Sequence, residues 1–199
     1  TSAALEPETF DNYEIGLKWS ILPTLNLTAA VYQLDRTNTR ATNPNDPART
    51  VLTGAQRSKG LEIGLSGAIT PQWQISAGYT LQDAEIRQAT SAAPAGREVP
   101  LVPKQQASLW TRYDFTPSFG AAVGVYHQST SFTSVSNTAV LPAFTRVDAA
   151  AFFELTPNIE AQINVENLLD SNYFSSAYND NNIMPGVPTT ARATIKMRY

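Results

Sequence analysis

The chain has 199 residues, 42% of them hydrophobic and 16% charged, and its formal net charge at pH 7 is −3. This acidic balance, without a basic stripe, argues against a nucleic-acid partner. The absence of cysteine excludes disulfide frameworks, thiolate zinc sites and cysteine nucleophiles. The longest apolar run, Phe119 to Tyr126, is far shorter than the roughly 20 residues of a membrane-spanning helix. The start has no signal-peptide pattern, so we expect a mature chain or one that begins inside a longer protein.

Nine stretches of alternating apolar and polar residues predict β-strands. In the first of them, Tyr13, Ile15 and Leu17 alternate with Glu14 and Lys18. Because side chains of an extended strand point to opposite faces with a period of two, each stretch has one apolar and one polar wall. The pattern predicts an all-β, antiparallel protein with strands at residues 10–20, 25–36, 57–69, 73–86, 104–115, 119–130, 144–155, 159–171 and 189–199.

Four proline-centred turns recur along the chain, and each separates two predicted strands. They are Leu22-Pro23-Thr24, Thr70-Pro71-Gln72, Thr116-Pro117-Ser118 and Thr156-Pro157-Asn158. Proline presets φ for the second position of a type I turn, so each predicts a short hairpin connection. The other connections are long and rich in Asn, Ser, Thr, Ala, Pro and Gly, which predicts loops at 37–56, 87–103, 131–143 and 172–188.

Short turns at one edge of a sheet and long loops at the other are typical of an outer-membrane β-barrel, with periplasmic turns and extracellular loops. Aromatic residues near the turn edge predict a membrane-interface girdle of Trp19, Trp73, Phe115, Phe119 and Tyr199. An antiparallel sandwich with one wet face per sheet is the alternative. Predicted strand lengths of about 10 to 13 residues favour the barrel, because they suit a tilted crossing of the bilayer.

Four sequence blocks carry a family likeness when they are taken together. They are Leu5-Glu6-Pro7-Glu8-Thr9 with Asn12 to Lys18, Gln56 to Glu62, Val102-Pro103-Lys104 with Ser108 to Tyr113, and Val165 to Tyr173 with Pro185-Gly186 and the terminal strand. In this combination the chain resembles the TonB-dependent outer-membrane receptors, with the catecholate siderophore receptors as the nearest group. The family more often has Phe where this chain has Leu169 and Tyr199, and both departures keep a large apolar or aromatic group.

The resemblance implies that residues 1–199 are the C-terminal nine strands of a 22-stranded transmembrane barrel whose N-terminal plug is absent from this chain. It implies TonB-energised uptake of ferric siderophores across the outer membrane of a Gram-negative bacterium. The implied partners are a ferric siderophore, the TonB complex acting through the plug, outer-membrane lipids, and the barrel assembly machinery at the C-terminal strand. No cofactor is implied, since iron enters only as the bound chelate. Nine strands cannot close an antiparallel barrel, so two open edges are expected.

Arginines and aromatic residues in the predicted loops are the candidates for ligand binding. A ferric catecholate is anionic and aromatic, so guanidinium groups and ring faces are the chemistry expected of its binder. Solvated loop arginines and interfacial aromatics are the competing interpretation of the same residues. The candidates are Arg40, Arg49, Arg87, Arg97, Phe132, Tyr173, Phe174 and Tyr178.

Catalysis and metal binding have little support in the sequence. His127 and Ser129 lie two residues apart on a predicted strand, so both project to one face and could supply the base and nucleophile of a lipase. A passive outer-membrane channel or adhesin barrel is a further alternative to the siderophore receptor. The carboxylates Asp148, Glu154, Glu160 and Glu166 are predicted to line a hydrated wall beside Arg146 and Lys196 rather than to act in acid–base chemistry. We therefore predict no catalytic residues and no metal site.

Overall fold

The computed structural model describes residues 7–43, 46–89 and 93–198, with side chains described outside 40–53. The described residues contain only strands, turns and loops. None of them forms a helix long and apolar enough to cross a membrane, a finding that has no bearing on crossing by strands. The strands are β1 (Thr9–Leu22), β2 (Leu25–Asn43), β3 (Asp46–Thr70), β4 (Trp73–Gln88), β5 (Gln105–Thr116), β6 (Phe119–Gln128), β7 (Ser131–Phe132), β8 (Val140–Leu141), β9 (Phe144–Thr156), β10 (Ile159–Glu166), β11 (Phe174–Asn179), β12 (Asn182–Pro185) and β13 (Thr190–Met197).

Nine of these strands form one antiparallel sheet in the order β1-β2-β3-β4-β5-β6-β9-β10-β13. Each strand therefore pairs with the next long strand along the chain, as in a meander. The pairs β7–β8 and β11–β12 are short separate hairpins inserted between long strands. The predicted all-β, antiparallel architecture is confirmed.

The four proline turns are two-residue connections, and the meander places all of them at one edge of the sheet. The first joins Leu22 to Leu25 through Pro23 and Thr24. Next to it, Ala68 donates its N–H to the carbonyl of Thr24 at 2.8 Å, and Gly67 has φ of 135°. A Cβ at Gly67 would lie 1.9 Å from that carbonyl oxygen, so glycine is required for this close approach. We call this side of the sheet, where the strands end in the proline turns, the turn edge. The opposite ends of the strands form the outer edge.

Across the sheet, odd-numbered residues pair with odd-numbered residues. Leu17 faces Ala29, Leu65 faces Ala77, and Ala161 faces Ile195. The rule fails only beside the turns and in the outer parts of β2, β3 and β4. Since side chains alternate between faces, the odd residues of nine strands form one continuous wall and the even residues form the other.

The odd wall is largely apolar, apart from charged residues near the outer edge, and it is uncovered. Ile15 is 79% exposed and Ile195 is 64% exposed. The largest fully buried side chains, Leu141 and Asn167, lie at the outer edge and not within the sheet. No second sheet packs against the odd wall in the described part of the chain, so the sandwich alternative is wrong. In a β-barrel the apolar wall is the outer, convex one, so we name the odd wall the convex wall and the even wall the concave wall.

The long strands differ from the prediction mainly at the outer edge. The predicted loop 37–56 is wrong in its extent, because β2 continues to Asn43 and β3 begins at Asp46. Backbone pairing needs no apolar alternation where both faces of a hairpin lie in water, so alternation cannot reveal such an extension. Two predicted strands are too long, since β6 ends at Gln128 and β10 at Glu166. The predicted terminal strand 189–199 is observed as β13, which ends at Met197, and Tyr199 lies outside the described residues.

Candidate functional site

Ion pairs line the concave wall. Arg112 contacts Asp114 at 2.8 Å, whereas Glu160 contacts Arg198 at 2.8 Å and Lys196 at 3.9 Å. Each of these pairs joins groups that are partly open to solvent. The wall is therefore hydrated and charged, and the carboxylate of Glu160 is paired with cations rather than poised beside a catalytic base.

Arg146, close to the outer edge of this wall, donates hydrogen bonds to three side chains. Its guanidinium donates to Asp148 at 3.0 Å, to Glu166 at 2.7 Å and to the Tyr173 hydroxyl at 3.3 Å. The Tyr173 ring stacks on Phe144 with centroids 4.4 Å apart. Tyr173 thus links β9 to the segment that follows β10, and this structural contact engages a residue that the sequence suggested as a ligand contact.

Three outer segments pack together above the sheet; we name residues 93–103, 131–141 and 174–185 the outer cap. Asn137 joins the first two segments, because its amide accepts from Glu98 N at 2.8 Å and donates to Glu98 O at 3.1 Å. Arg97 adds a bond from Nη1 to the carbonyl of Val135 at 2.9 Å. Arg97, another predicted ligand residue, is therefore committed to holding the cap together.

Asp180 joins the second and third segments of the outer cap. Its carboxylate accepts hydrogen bonds from the hydroxyls of Thr133, of Ser136 at 2.7 Å and of Thr138 at 3.1 Å. These hydroxyl bonds, with Thr133 and then Ser136 contributing most, hold the pKa of the Asp180 carboxyl well below its usual range. The charged carboxylate is the form that the cap binds.

The remaining predicted ligand residues lie on several different elements. The side chains of Arg40 and Arg49 lie outside the described residues. Arg87 pairs with Glu85 at 2.5 Å, and Phe132 lies in the short strand β7. Phe174 is 42% exposed and Tyr178 is 86% exposed on the β11–β12 hairpin. These two aromatic side chains are accessible to a ligand arriving from the outer side.

Aromatic rings form a connected row on the convex wall at the turn edge. Phe115 stacks on Phe119 at 5.6 Å between centroids, and Phe119 contacts Phe153 at 5.3 Å. Trp73 donates its indole N–H to Thr111 at 2.8 Å, and Trp19 lies at the same edge with 55% of its surface exposed. The row suits the boundary between lipid and water, and the interfacial role of these residues stays a prediction.

The two residues of the lipase alternative face different partners. His127 is hydrogen-bonded through Nδ1 to the Thr145 hydroxyl at 2.8 Å. The Ser129 hydroxyl accepts from the backbone N–H of Gln105 at 3.0 Å. Within the described part of the chain no hydrogen bond joins His127 to Ser129, so the geometry gives the lipase alternative no support. Among the same residues, no group of three His, Cys, Asp or Glu side chains could hold a metal ion.

An aromatic cluster on the concave wall was not predicted as functional. Trp110 and Phe152 occupy even positions, where the pattern mostly places polar or small groups, and Arg112 lies over the Phe152 ring at 4.0 Å. Gly124 makes room for Trp110, since a Cβ there would lie 2.7 Å from the indole ring. The signal was present in the sequence as large aromatics out of phase with the alternation.

These features define a class of protein. An apolar convex wall, a charged concave wall, four tight turns at one edge and long segments at the other are the properties of an outer-membrane β-barrel.

Residues 1–168 match the family model described as "TonB dependent receptor-like, beta-barrel". The chain therefore belongs to the TonB-dependent receptor family, whose members are outer-membrane β-barrels of Gram-negative bacteria. The predicted family, fold and location are confirmed.

Similar proteins of known name are receptors of this kind. The chain is 36% identical over 185 residues to the probable TonB-dependent siderophore receptor PiuA of Acinetobacter baumannii, covering 87% of the chain and 25% of that protein. It is 31% identical over 201 residues to the catecholate siderophore receptor Fiu of Escherichia coli K12, covering 98% of the chain and 26% of Fiu. The crystal structure of PiuA superposes with a TM-score of 0.90 at 33% identity, over 100% of the chain and 30% of PiuA. The chain thus spans about a quarter of the length of these relatives.

Proposed function

We propose that this chain is the C-terminal part of the barrel of an outer-membrane receptor that takes up ferric siderophores with energy from TonB. The observation that carries the proposal is the nine-stranded wall, apolar outside and charged inside, in a relative of the siderophore receptors PiuA and Fiu. A charged inner wall is what a hydrated passage requires. The remaining strands and the plug would come from the part of the protein that precedes this chain.

The proposed orientation has the turn edge in the periplasm and the outer cap at the cell surface. Lipids would contact the odd-numbered residues of the nine long strands. The barrel assembly machinery would recognise the terminal strand β13, and TonB would act through the plug. This orientation is favoured because barrels of the outer membrane have short periplasmic turns and long extracellular loops.

The proposed substrate class is a ferric chelate with aromatic, anionic arms, as in catecholates. Support comes from the similarity to Fiu, a catecholate siderophore receptor, and from the exposed rings of Phe174 and Tyr178 on the outer side. Ring faces and guanidinium groups bind such arms by stacking and charge attraction. Iron would be bound by the chelator and not by side chains of the protein.

The test is uptake of radiolabelled iron by iron-starved cells. Cells that lack the complete gene should lose accumulation of iron presented as a ferric tris-catecholate, and the restored gene should return it. A strain without TonB separates the receptor from a passive channel, because a channel would still admit the chelate. Equal uptake with and without the gene would rule out the proposal.

A further inference from the structure

A pocket of about 350 Å³ opens on the concave wall at the outer edge, between β1 to β4 and residues 99–103. Its volume falls in the range of small-ligand sites, about 300 to 1,000 Å³. Apolar side chains form much of its surface, and polar groups stand among them. The apolar lining includes Phe10, Leu34, Ala84, Val99 and Pro103, and the polar lining includes Arg36, Gln56, Gln82 and Gln106.

Hydrogen bonds fix the segment that closes one side of this pocket. Val99 N donates to the carbonyl of Ala84 at 2.9 Å, and Gln82 N donates to the carbonyl of Lys104 at 2.8 Å. The Gln82 side chain also donates to the carbonyl of Pro103 at 3.1 Å. The segment therefore continues the pairing of β4, and the pocket is held open by the fold before any ligand arrives.

Arg36 and Gln56 are among the polar groups at the pocket that have donor capacity to spare. Arg36 donates from Nε and Nη2 to Glu8, and within the described residues its Nη1 has no recorded acceptor. The Gln56 amide likewise has no recorded hydrogen bond in that part of the chain. The Arg36 guanidinium lies 5.4 Å from the centroid of the Phe10 ring, whose residue is 59% exposed. A cation, an amide and an open ring thus line one small apolar space.

We propose that this pocket binds one planar aromatic arm of the chelate through its ring and its anionic oxygens. The inference rests on the proposed function and assigns it a subsite. The ring would lie on the apolar lining and against Phe10, while its oxygens would accept from Arg36 Nη1 and the Gln56 amide. A chelate that binds iron through non-aromatic groups has no ring to bury here, so the pocket favours aryl chelators.

The test uses the complete purified receptor in detergent and measures binding of the ferric complex of 2,3-dihydroxybenzoate. Arg36→Gln should weaken binding about tenfold, as expected for loss of a hydrogen bond to a charged group. Arg198→Gln is the matched control, because Arg198 is also ion-paired to a glutamate on the concave wall but lies at the turn edge, away from the pocket. The control should bind within about twofold of the unaltered protein.

Gln56→Leu provides a second variant that keeps the Arg36–Glu8 pair, and it should also weaken binding of the aryl complex. A ferric trihydroxamate should bind all three variants alike. If uptake works but Arg36→Gln and Gln56→Leu bind the aryl complex normally, the subsite is wrong and the transport function stands. If the receptor takes up no ferric chelate, the proposed function fails. Binding of iron-free 2,3-dihydroxybenzoate then decides the subsite, which is overturned unless Arg36→Gln weakens that binding.

Discussion

Asn167 is completely buried although it is polar and lies directly after β10. Its side-chain amide donates to the carbonyls of Ser171 and Val187, both at 3.0 Å, and its Oδ1 accepts from Ser171 N at 2.9 Å. It also has φ of 53°, a conformation that asparagine tolerates better than most residues. This one side chain therefore organises the return of the chain from β10 towards β13.

Asn167→Ala should lower the free energy of unfolding of the complete receptor by about 2 to 4 kcal/mol, because three partly buried hydrogen bonds of this buried side chain are lost. Urea titration of the barrel in detergent measures the change. Asn164→Ala is the control, since Asn164 lies on the partly exposed concave wall and should cost less than about 1 kcal/mol. Equal losses in the two variants would contradict the role assigned to Asn167.

At the scale of elements, the three segments of the outer cap are coupled through side chains rather than through a shared sheet. Asp180 connects the β11–β12 hairpin to the β7–β8 hairpin, because its carboxylate accepts hydrogen bonds from the hydroxyls of Thr133, Ser136 and Thr138. Removing the carboxylate leaves those hydroxyls without their common acceptor. The cap then divides into two parts, of which only the first stays fastened by Asn137.

Asp180→Ala should raise amide hydrogen exchange in residues 174–185 several-fold at neutral pH, while residues 93–103 stay protected. Mass spectrometry of peptides from the complete receptor measures this. Asn182→Ala, an exposed substitution on the same hairpin, should leave exchange unchanged. Unchanged exchange in Asp180→Ala would show that the hairpin is held by other contacts.

The same carboxylate makes the cap sensitive to strong acid only. Its pKa is lower in the folded protein than in the unfolded chain, so its contribution is fully present above the usual aspartate pKa of about 3.9. The contribution is lost as pH falls from there through the lowered value. Between pH 7 and 5 the exchange of residues 174–185, corrected for the intrinsic rate, should therefore not change.

The elements show what alternation can and cannot reveal. An apolar face on one side of a strand imposes a period of two, so Tyr13, Ile15 and Leu17 identify their strand without any structure. The outer parts of β2 and β3 lack this alternation although their backbones pair, which is why a loop was predicted there. The cap and the pocket near Arg36 depend on pairings between distant segments, and a single sequence contains no periodic signal for those contacts.

The candidate ligand residues illustrate the same limit. Tyr173 and Arg97 have the chemistry of a binder, but stacking on Phe144 and a bond to Val135 engage them in the structure. Residue type indicates which chemistry is available, whereas the partner that uses it is decided by the fold. Arg36 shows the converse, because it lies in a predicted strand and was not among the loop candidates.

For the whole molecule, the decisive property is the separation of two walls by residue parity. Ile163 and Gln162 are neighbours near the middle of β10, yet Ile163 lies on the convex wall with 45% of its surface exposed and Gln162 lies on the concave wall. If lipid covers the convex wall, the same charged side chain should have opposite consequences at these adjacent positions. The comparison tests the barrel assignment without reference to any ligand.

Ile163→Arg should lower the free energy of unfolding of the complete barrel in lipid vesicles by about 2 to 4 kcal/mol. This is the cost of placing arginine on the lipid face near the midplane. Gln162→Arg should change it by less than about 1 kcal/mol, because that guanidinium enters the hydrated interior. Guanidinium titration of the vesicle-embedded protein measures both values. A soluble sheet would tolerate arginine at the exposed Ile163 as readily as at Gln162, so equal values would refute the lipid-facing wall on which the orientation of every turn and loop depends.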